Sequence, residues 1–344
     1  MLVDNGHSVD LAFSVIRKAP AKLLTLVKNV YDLPFQRNPF HYKNLHAFKS
    51  LRTIISQNKY DLIHTHTPTA GALTRLAAIG TSTKVIYTAH GFHFYKGAPL
   101  LNWLIYFPVE WLLSFFTDTL ITINTEDFEF AKSNLHAKKV EYVPGVGIDL
   151  SRFENNNSLK NDIRNELGIP QDAIVLLSVG ELNKNKNHET ALKAFALVNN
   201  PNAYYIICGQ GALKDYLTNL ASKLGISAKT FFLGYRSDII EIMKTSDIFI
   251  HPSFREGLPV SLMEAMASGL PCIASKIRGN ADLIKGLGEN YLFIPNDIET
   301  LGNAIKTLIA NPKKQRLLIE DNMKSIVEFG LNNLLNRMAE IYLI

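Results

Sequence analysis

The sequence predicts an α/β protein built from two Rossmann-like, doubly wound domains. Three observations carry this. Short β-rich runs alternate with helix-length segments from end to end. Most of those runs are continuously apolar, as the strands of a parallel sheet buried on both faces must be. Eleven such runs are more than one doubly wound sheet comfortably holds, and a polar stretch, "SRFENNNSLKND" at 151–162, breaks the alternation near the middle.

The elements follow in order. The opening "MLVDNGHSVDLAF" reads as the last turn of a helix, a stop at Gly6, and then a strand over 9–15. A doubly wound sheet usually opens with a strand, so the N-terminal domain is expected to lack its first strand. By typical element lengths the native chain would then begin about 25–35 residues upstream. Strands are expected at 61–66, 84–90, 119–124 and 140–144 in the first half. In the second half they are expected at 173–180, 203–209, 230–234, 247–253, 271–275 and 291–295. Residues 100–116, "LLNWLIYFPVEWLLSFF", form the most apolar stretch. It is short for a membrane span, and Asn102, Pro108 and Glu110 interrupt it. Its aromatics pack a helix on the N-terminal sheet, or its apolar face meets a membrane with Trp103, Tyr106 and Trp111 at headgroup level. The tail "LNNLLNRMAEIYLI" is patterned as an amphipathic helix. The expected division is 1–157, 158–328, and a helix over 329–344 that returns to the N-terminal domain.

Composition narrows the function classes. With 344 residues, 47% of them hydrophobic, the chain can bury two cores. A net charge of +5 suits an anionic membrane surface or a phosphate-bearing ligand, but no nucleic-acid motif accompanies it, so nucleic acid is not an expected partner. Cys208 and Cys272 sit in apolar strand-like runs and read as core thiols of a reducing compartment. The start has no basic and apolar leader pattern. The expected location is cytoplasmic, with peripheral contact at the inner membrane face.

In open α/β sheets, ligands bind beyond the C-terminal strand ends. In the second half, four successive strand ends carry polar or glycine-rich segments: "SVGELNKNKNH", "CGQGALKDYL", "FLGYRSD" and "HPSFREGLPVSLMEA". Lys186 follows the Gly180 turn, close to a helix start, where an ammonium can reach a phosphate held by backbone N–H groups. Alone, it reads first as a solvated lysine. In "REGLPVSLMEAMASG", Gly257 and Pro259 shape a loop into a helix over roughly 259–267. Glu256 precedes that helix and Glu264 lies two turns inside it. Helix-dipole complementarity would explain Glu256, and surface exposure would explain Glu264. Yet Leu262, Met263, Ala265 and Met266 flank Glu264, and a buried lone carboxylate needs a partner. Two acceptor oxygens suit vicinal hydroxyls. His90, in "TAHG", ends a strand in the first half, as a packed polar residue or a ligand-facing one. His64, His66 and His93 crowd nearby strand ends without metal-site spacing, and no metal site is expected.

On "HPSFREGLPVSLMEAMASGLPCIAS", supported by "HTHTPTAG", "TAHGFHFYKGAP", "VPGVGIDLSRF" and "SVGELNKNKNH", the chain resembles family 4 glycosyltransferases of capsule, exopolysaccharide and lipid-linked oligosaccharide assembly. The resemblance implies the GT-B fold, two Rossmann-like domains facing a cleft. It implies a retaining, metal-independent transfer from a nucleotide diphosphate sugar, with UDP expected, to a saccharide or polyprenyl-linked saccharide. The donor is a substrate, and no separate cofactor is implied. By the same resemblance Lys186 and Gly180 meet the diphosphate, along with the helix start at Gly257, Leu258 and Pro259. Glu256 holds the donor sugar, Glu264 the ribose, and His90 approaches the sugar. Tyr235 and Arg236 line the base pocket. One residue departs from the pattern. Many relatives have arginine where this chain has Glu181, which leaves Lys184, His188, Arg236 or helix N–H groups to supply the second positive charge. The alternative class is an inactive, nucleotide-sugar-binding partner subunit.

Overall fold

The computed structural model describes residues 1–14, 21–154 and 160–343. Val15, at the end of the first expected strand, lies outside the described residues. So do 155–159 of the expected linker, which include the expected boundary at 157/158.

The chain divides into two compact units, Met1–Val143 with Leu335–Ile344, and Pro144–Leu334. The division falls ahead of the polar stretch for a local reason. Ile148 already bridges Gly330, with the Ile148 N–H bonded to the Phe329 carbonyl at 3.0 Å, so the chain joins the second unit before residue 150. Arg164 then anchors the helix Lys160–Glu166 there. Its buried guanidinium donates to the Thr245 and Ala173 carbonyls and pairs with Asp247 at 3.0 Å.

In the N-terminal unit, β1 (Asp10–Phe13) pairs in parallel with β2 (Asn29–Asp32). A separate four-stranded parallel sheet runs in the order β3 (Leu62–His66), β4 (Lys84–Ala89), β5 (Thr119–Thr122), β6 (Lys139–Tyr142). Strand β2 is absent from the sequence expectation. It is four residues long with polar residues at both ends, so it has neither an apolar run nor a long alternation. The Gly6 stop is present. Gly6 has φ +84°, its N–H bonds the Val3 carbonyl, and the His7 N–H bonds the Leu2 carbonyl, which is the paired closure of a helix end.

One core cluster of this unit is largely aromatic, beside a second built on Leu33, Leu51, Ile55 and Ala77. Phe92 and Phe94 stack at 4.8 Å, and Trp103, Phe107 and Phe130 pack against them. Trp103 and Phe107 come from the helix Leu100–Ser114. Trp103 therefore points inward, with Phe94 and Phe130 at 5.5 and 5.6 Å. This corrects the membrane-facing expectation for that residue. Tyr106 and Trp111 stay exposed.

The second unit holds a six-stranded, all-parallel sheet. Its strands are β7 (Ile174–Val179), β8 (Ala203–Cys208), β9 (Thr230–Gly234), β10 (Ile248–His251), β11 (Cys272–Ser275) and β12 (Leu292–Phe293). The spatial order is β12-β11-β10-β7-β8-β9. Counted from β7, this is the doubly wound order 3-2-1-4-5-6. The apolar strand runs lie buried between helices: Leu176, Tyr205, Ile250 and Phe293 join Phe195, Leu301 and Ile305 in one core. Cys208, ending β8, and Cys272, opening β11, are buried free thiols. The one polar atom each of Ser178 and Tyr205 buries is satisfied, because the two hydroxyls bond each other at 2.7 Å and Ser178 donates to the Ile250 carbonyl.

Candidate functional site

The strand order creates a switch point between β7 and β10. These strands are hydrogen-bonded neighbours, with Leu176 opposite Ile248. The chain leaves β7 toward β8 on one side, and leaves β10 toward β11 on the other. The two outgoing loops therefore part above the sheet and leave a crevice at its C-terminal edge.

Side chains lace these loops together. The Asn185 side chain donates to the Arg255 carbonyl at 2.9 Å, the Phe254 N–H to the Asn185 carbonyl at 2.8 Å, and the Asn187 side chain to the Pro252 carbonyl at 3.1 Å. Between these bonds Lys186 Nζ meets Glu256 Oε1 at 2.6 Å. Residues 70 positions apart in sequence thus share one point. Gly180 makes room for this. A Cβ there would stand 3.3–3.5 Å from the Lys186 stem, tighter than ordinary side-chain packing at its closest.

Glu256 has a second partner, which the sequence reading missed. His251, the last residue of β10, places Nε2 3.2 Å from the same Oε1, with Ser253 Oγ 3.3 Å from that nitrogen. The available signal was a histidine ending the otherwise apolar strand "IFIH". His251 is fully buried, and burial lowers its pKa despite Glu256, so the imidazole is neutral and donates Nε2–H to the carboxylate. For Glu256, burial pushes the pKa up, but the His251 hydrogen bond and the Lys186 ammonium outweigh it and hold the value at about 2. The carboxylate is ionised at any physiological pH, and its charge is balanced.

The helix Val260–Ala267 begins next to it, with Pro259 as N-cap and no side-chain cap. Its first N–H groups have no intrahelical partner. Glu264 sits on this helix, partly buried, and its carboxylate has no hydrogen-bond partner among the described residues. Burial raises its pKa, and the charge of Arg152 offsets only part of that. Leu258 is buried and Gly257 half-buried. The Gly257 carbonyl is crowded by Gly279, where φ is +77° and any Cβ would collide with it.

Among the described residues, the remaining expected ones of this unit make no hydrogen bond to Lys186 or Glu256, although His188 lies close enough to His251 and Lys186 to feel their charge. Tyr235 is 70% exposed. The Arg236 guanidinium is engaged by Asp238 at 2.6 and 2.8 Å and by Glu166 at 3.1 Å. His188 is buried, and burial lowers its pKa to about 4, so it carries no charge at neutral pH. Of the three side chains named as substitutes at Glu181, this leaves Lys184 as the exposed cation without an ion-pair partner among the described residues. A cavity of about 270 Å³ borders the same loop, lined by Asn183, Lys184, Asn187, His188, Glu189 and Phe254 among others.

His90 belongs to the N-terminal unit. It follows β4, and its Nε2 lies 3.0 Å from His66 Nδ1. His64 bonds Thr88 Oγ1 at 2.7 Å and Tyr342 Oη at 2.6 Å. Burial lowers the pKa of all three imidazoles, to about 3 for His64 and about 4 for His66, so the cluster is neutral. Among the described residues no group of three His, Cys, Asp or Glu side chains is placed to hold a metal ion.

Comparison with known proteins decides the family. The family model described as "Glycosyltransferase Family 4" matches residues 1–152, and "Glycosyl transferases group 1" matches 160–325. The putative glycosyltransferase EpsD of Bacillus subtilis is 36% identical over 326 residues, covering 93% of this chain and 86% of that one. The chain belongs to glycosyltransferase family 4. A second relative, the UDP-Gal:alpha-D-GlcNAc-diphosphoundecaprenol alpha-1,3-galactosyltransferase of Escherichia coli, is 31% identical, with coverage of 89% and 81%. The fold is GT-B, as in Anabaena Alr3699/HepE solved in complex with UDP. That structure matches with a TM-score of 0.79 at 18% identity, covering 98% of this chain and 99% of that one. Sucrose-phosphate synthase of Thermosynechococcus elongatus matches with a TM-score of 0.83 at 19% identity, with coverage of 99% and 90%. In this family-4 chain the Lys186–Glu256 pair lies beside the start of the helix that carries Glu264.

Proposed function

We propose that the chain transfers a sugar, with retention of anomeric configuration, from a UDP-sugar to a hydroxyl of a saccharide or polyprenyl-linked saccharide in cell-surface polysaccharide synthesis. The observation that carries this is the ion pair of Lys186 and Glu256 at the β7/β10 switch point, beside an uncapped helix N-terminus. The relative from Escherichia coli, whose name gives UDP-Gal as donor and a diphosphoundecaprenol-linked sugar as acceptor, supports the donor and acceptor classes.

The chemistry follows from charge. As the bond between sugar and diphosphate breaks, negative charge grows on the leaving phosphate. Lys186 has three N–H donors, so it can keep Glu256 and still donate to that phosphate. The free N–H groups at Val260 and its neighbours add positive potential at the same place. Glu256, ionised and held by His251, accepts from donor-sugar hydroxyls. Glu264 accepts from the ribose hydroxyls, which gives its unpartnered carboxylate a ligand. The leaving phosphate takes the acceptor proton, so no protein nucleophile is required. The family resemblance gives His90 the role of approaching the donor sugar. Because Lys186 and the helix supply the positive charge, the reaction is metal-independent.

Titration calorimetry with UDP, paired with a donor panel run in EDTA, tests this. Glu264→Ala should weaken UDP binding by about 1–3 kcal/mol, the scale for charged hydrogen bonds. Unchanged affinity in the folded variant removes Glu264 from the site. Turnover in EDTA is expected. Activity that needs added Mn²⁺ overturns the metal-free reading, and UDP binding without turnover of any donor favours the inactive-subunit alternative.

A further inference from the structure

The helix Leu100–Ser114 is mostly apolar but packs on one side only. Its polar side chains turn inward. Asn102 donates to the His93 carbonyl, Glu110 pairs with the buried Arg75, and Ser114 is fully buried. Its outward face presents Leu100, Leu101, Leu104, Val109 and Leu112 at 51–73% exposure, continued by Phe115. In all, ten large apolar residues between 100 and 116 are at least 36% exposed, and the stripe carries no charge. Polar-in and apolar-out is the reverse of a water-facing helix, and exposure on this scale marks an interaction surface. Fifteen residues span about 22 Å along the axis, and no helix among the described residues is long and apolar enough to cross a membrane.

The charge distribution says what covers this face. Residues 1–143 and 335–344 hold 16 Lys and Arg against 11 Asp and Glu, while 144–334 hold 20 of each. The whole net charge of +5 therefore belongs to the unit that bears the apolar helix. Lys96, exposed in the segment leading into it, is one of those cations. A second copy of the chain would bring the same positive excess against itself. An anionic lipid surface would be attracted by it and would take the leucines into its acyl boundary.

We propose that Leu100–Phe116 is a membrane-docking wedge: the helix lies in the plane of an anionic bilayer, its outward leucines inserted, while the basic excess of the N-terminal unit holds the headgroups. This stands whether or not the sugar-transfer reading does.

Flotation with phosphatidylcholine vesicles, with and without a third of phosphatidylglycerol, tests it on the full chain. Wild type should float with the anionic vesicles, poorly with neutral ones, and less as salt is raised. The double variant Leu104→Glu/Leu112→Glu should lose about tenfold in bound fraction while keeping its UDP affinity. A second measurement needs no variant at the leucines. The chain has two tryptophans, Trp103 packed inward and Trp111 at 40% exposure on the wedge, so brominated lipid should quench Trp111 emission and Trp111→Phe should remove most of that quenching. The proposal is overturned if wild type does not float at low salt, if the double variant floats as well as wild type, or if brominated lipid leaves emission unchanged. A wild-type dimer that the double variant abolishes, without vesicle binding, assigns the face to a second copy and overturns it too.

Discussion

Glu256 is a largely buried carboxylate with two donors on one oxygen, and this fixes its response to acid. Its folded pKa, about 2, lies below the ordinary 4.5, so the unfolded chain binds its proton first as pH falls. The stability it contributes is complete above about pH 5 and is lost as pH drops through 4.5 toward 2. That contribution is about 2–3 kcal/mol at neutral pH. Wild type should therefore melt higher than Glu256→Gln at pH 7, and the gap should narrow markedly by pH 3; a gap that does not change with pH refutes the ion-paired assignment. Lys186→Ala should cost roughly 100-fold in turnover, the scale for losing a donor to transition-state charge. Near-normal turnover would leave Lys186 a purely structural partner of Glu256. At this scale the sequence was partly legible. Lys186, Glu256 and Glu264 stood out through family likeness and position, because glycine turns and strand ends are visible in the chain. Their pairing was not, since the contact joins loops 70 residues apart whose register depends on β7 lying beside β10. The role of His251 was hidden for the same reason.

The helix Leu331–Tyr342 has a strongly two-faced pattern, and its end is tied to the N-terminal unit by polar contacts. Tyr342 Oη bonds His64 Nδ1 at 2.6 Å, and Arg337 bonds Glu141 at 2.5 Å. His64 is mostly buried, so losing its partner leaves a ring nitrogen unsatisfied. Tyr342→Phe should destabilise by about 1–2 kcal/mol and speed amide exchange in the last turns of the helix, read by hydrogen exchange. Exchange rates equal to wild type would show that packing of Ile341 alone holds the helix. Elements of this kind were legible where periodicity was long. The buried strands of the second unit read directly from runs such as "IVLLSV", whereas β2, four residues with polar ends, gave no periodic signal.

For the molecule as a whole, alternating strands and helices foretold two parallel α/β units, because a sheet covered on both faces leaves an apolar record in every strand. The place of division was less legible, since it depends on the Ile148–Gly330 bridge between distant segments. The chain passes between the units twice, at 143/144 and again inside the helix at 334/335. The second passage bears on how the unit 144–334 can be produced alone. A fragment spanning 144–344 would carry ten residues that belong to the other half, with Ile341 and Tyr342 stripped of their cover. It should aggregate, whereas 144–334 should stay monodisperse in light scattering. The last helix is thus a seam in the chain itself: it begins in one unit and ends in the other, so cutting at 143/144 still leaves 335–344 covalently bound to 144–334.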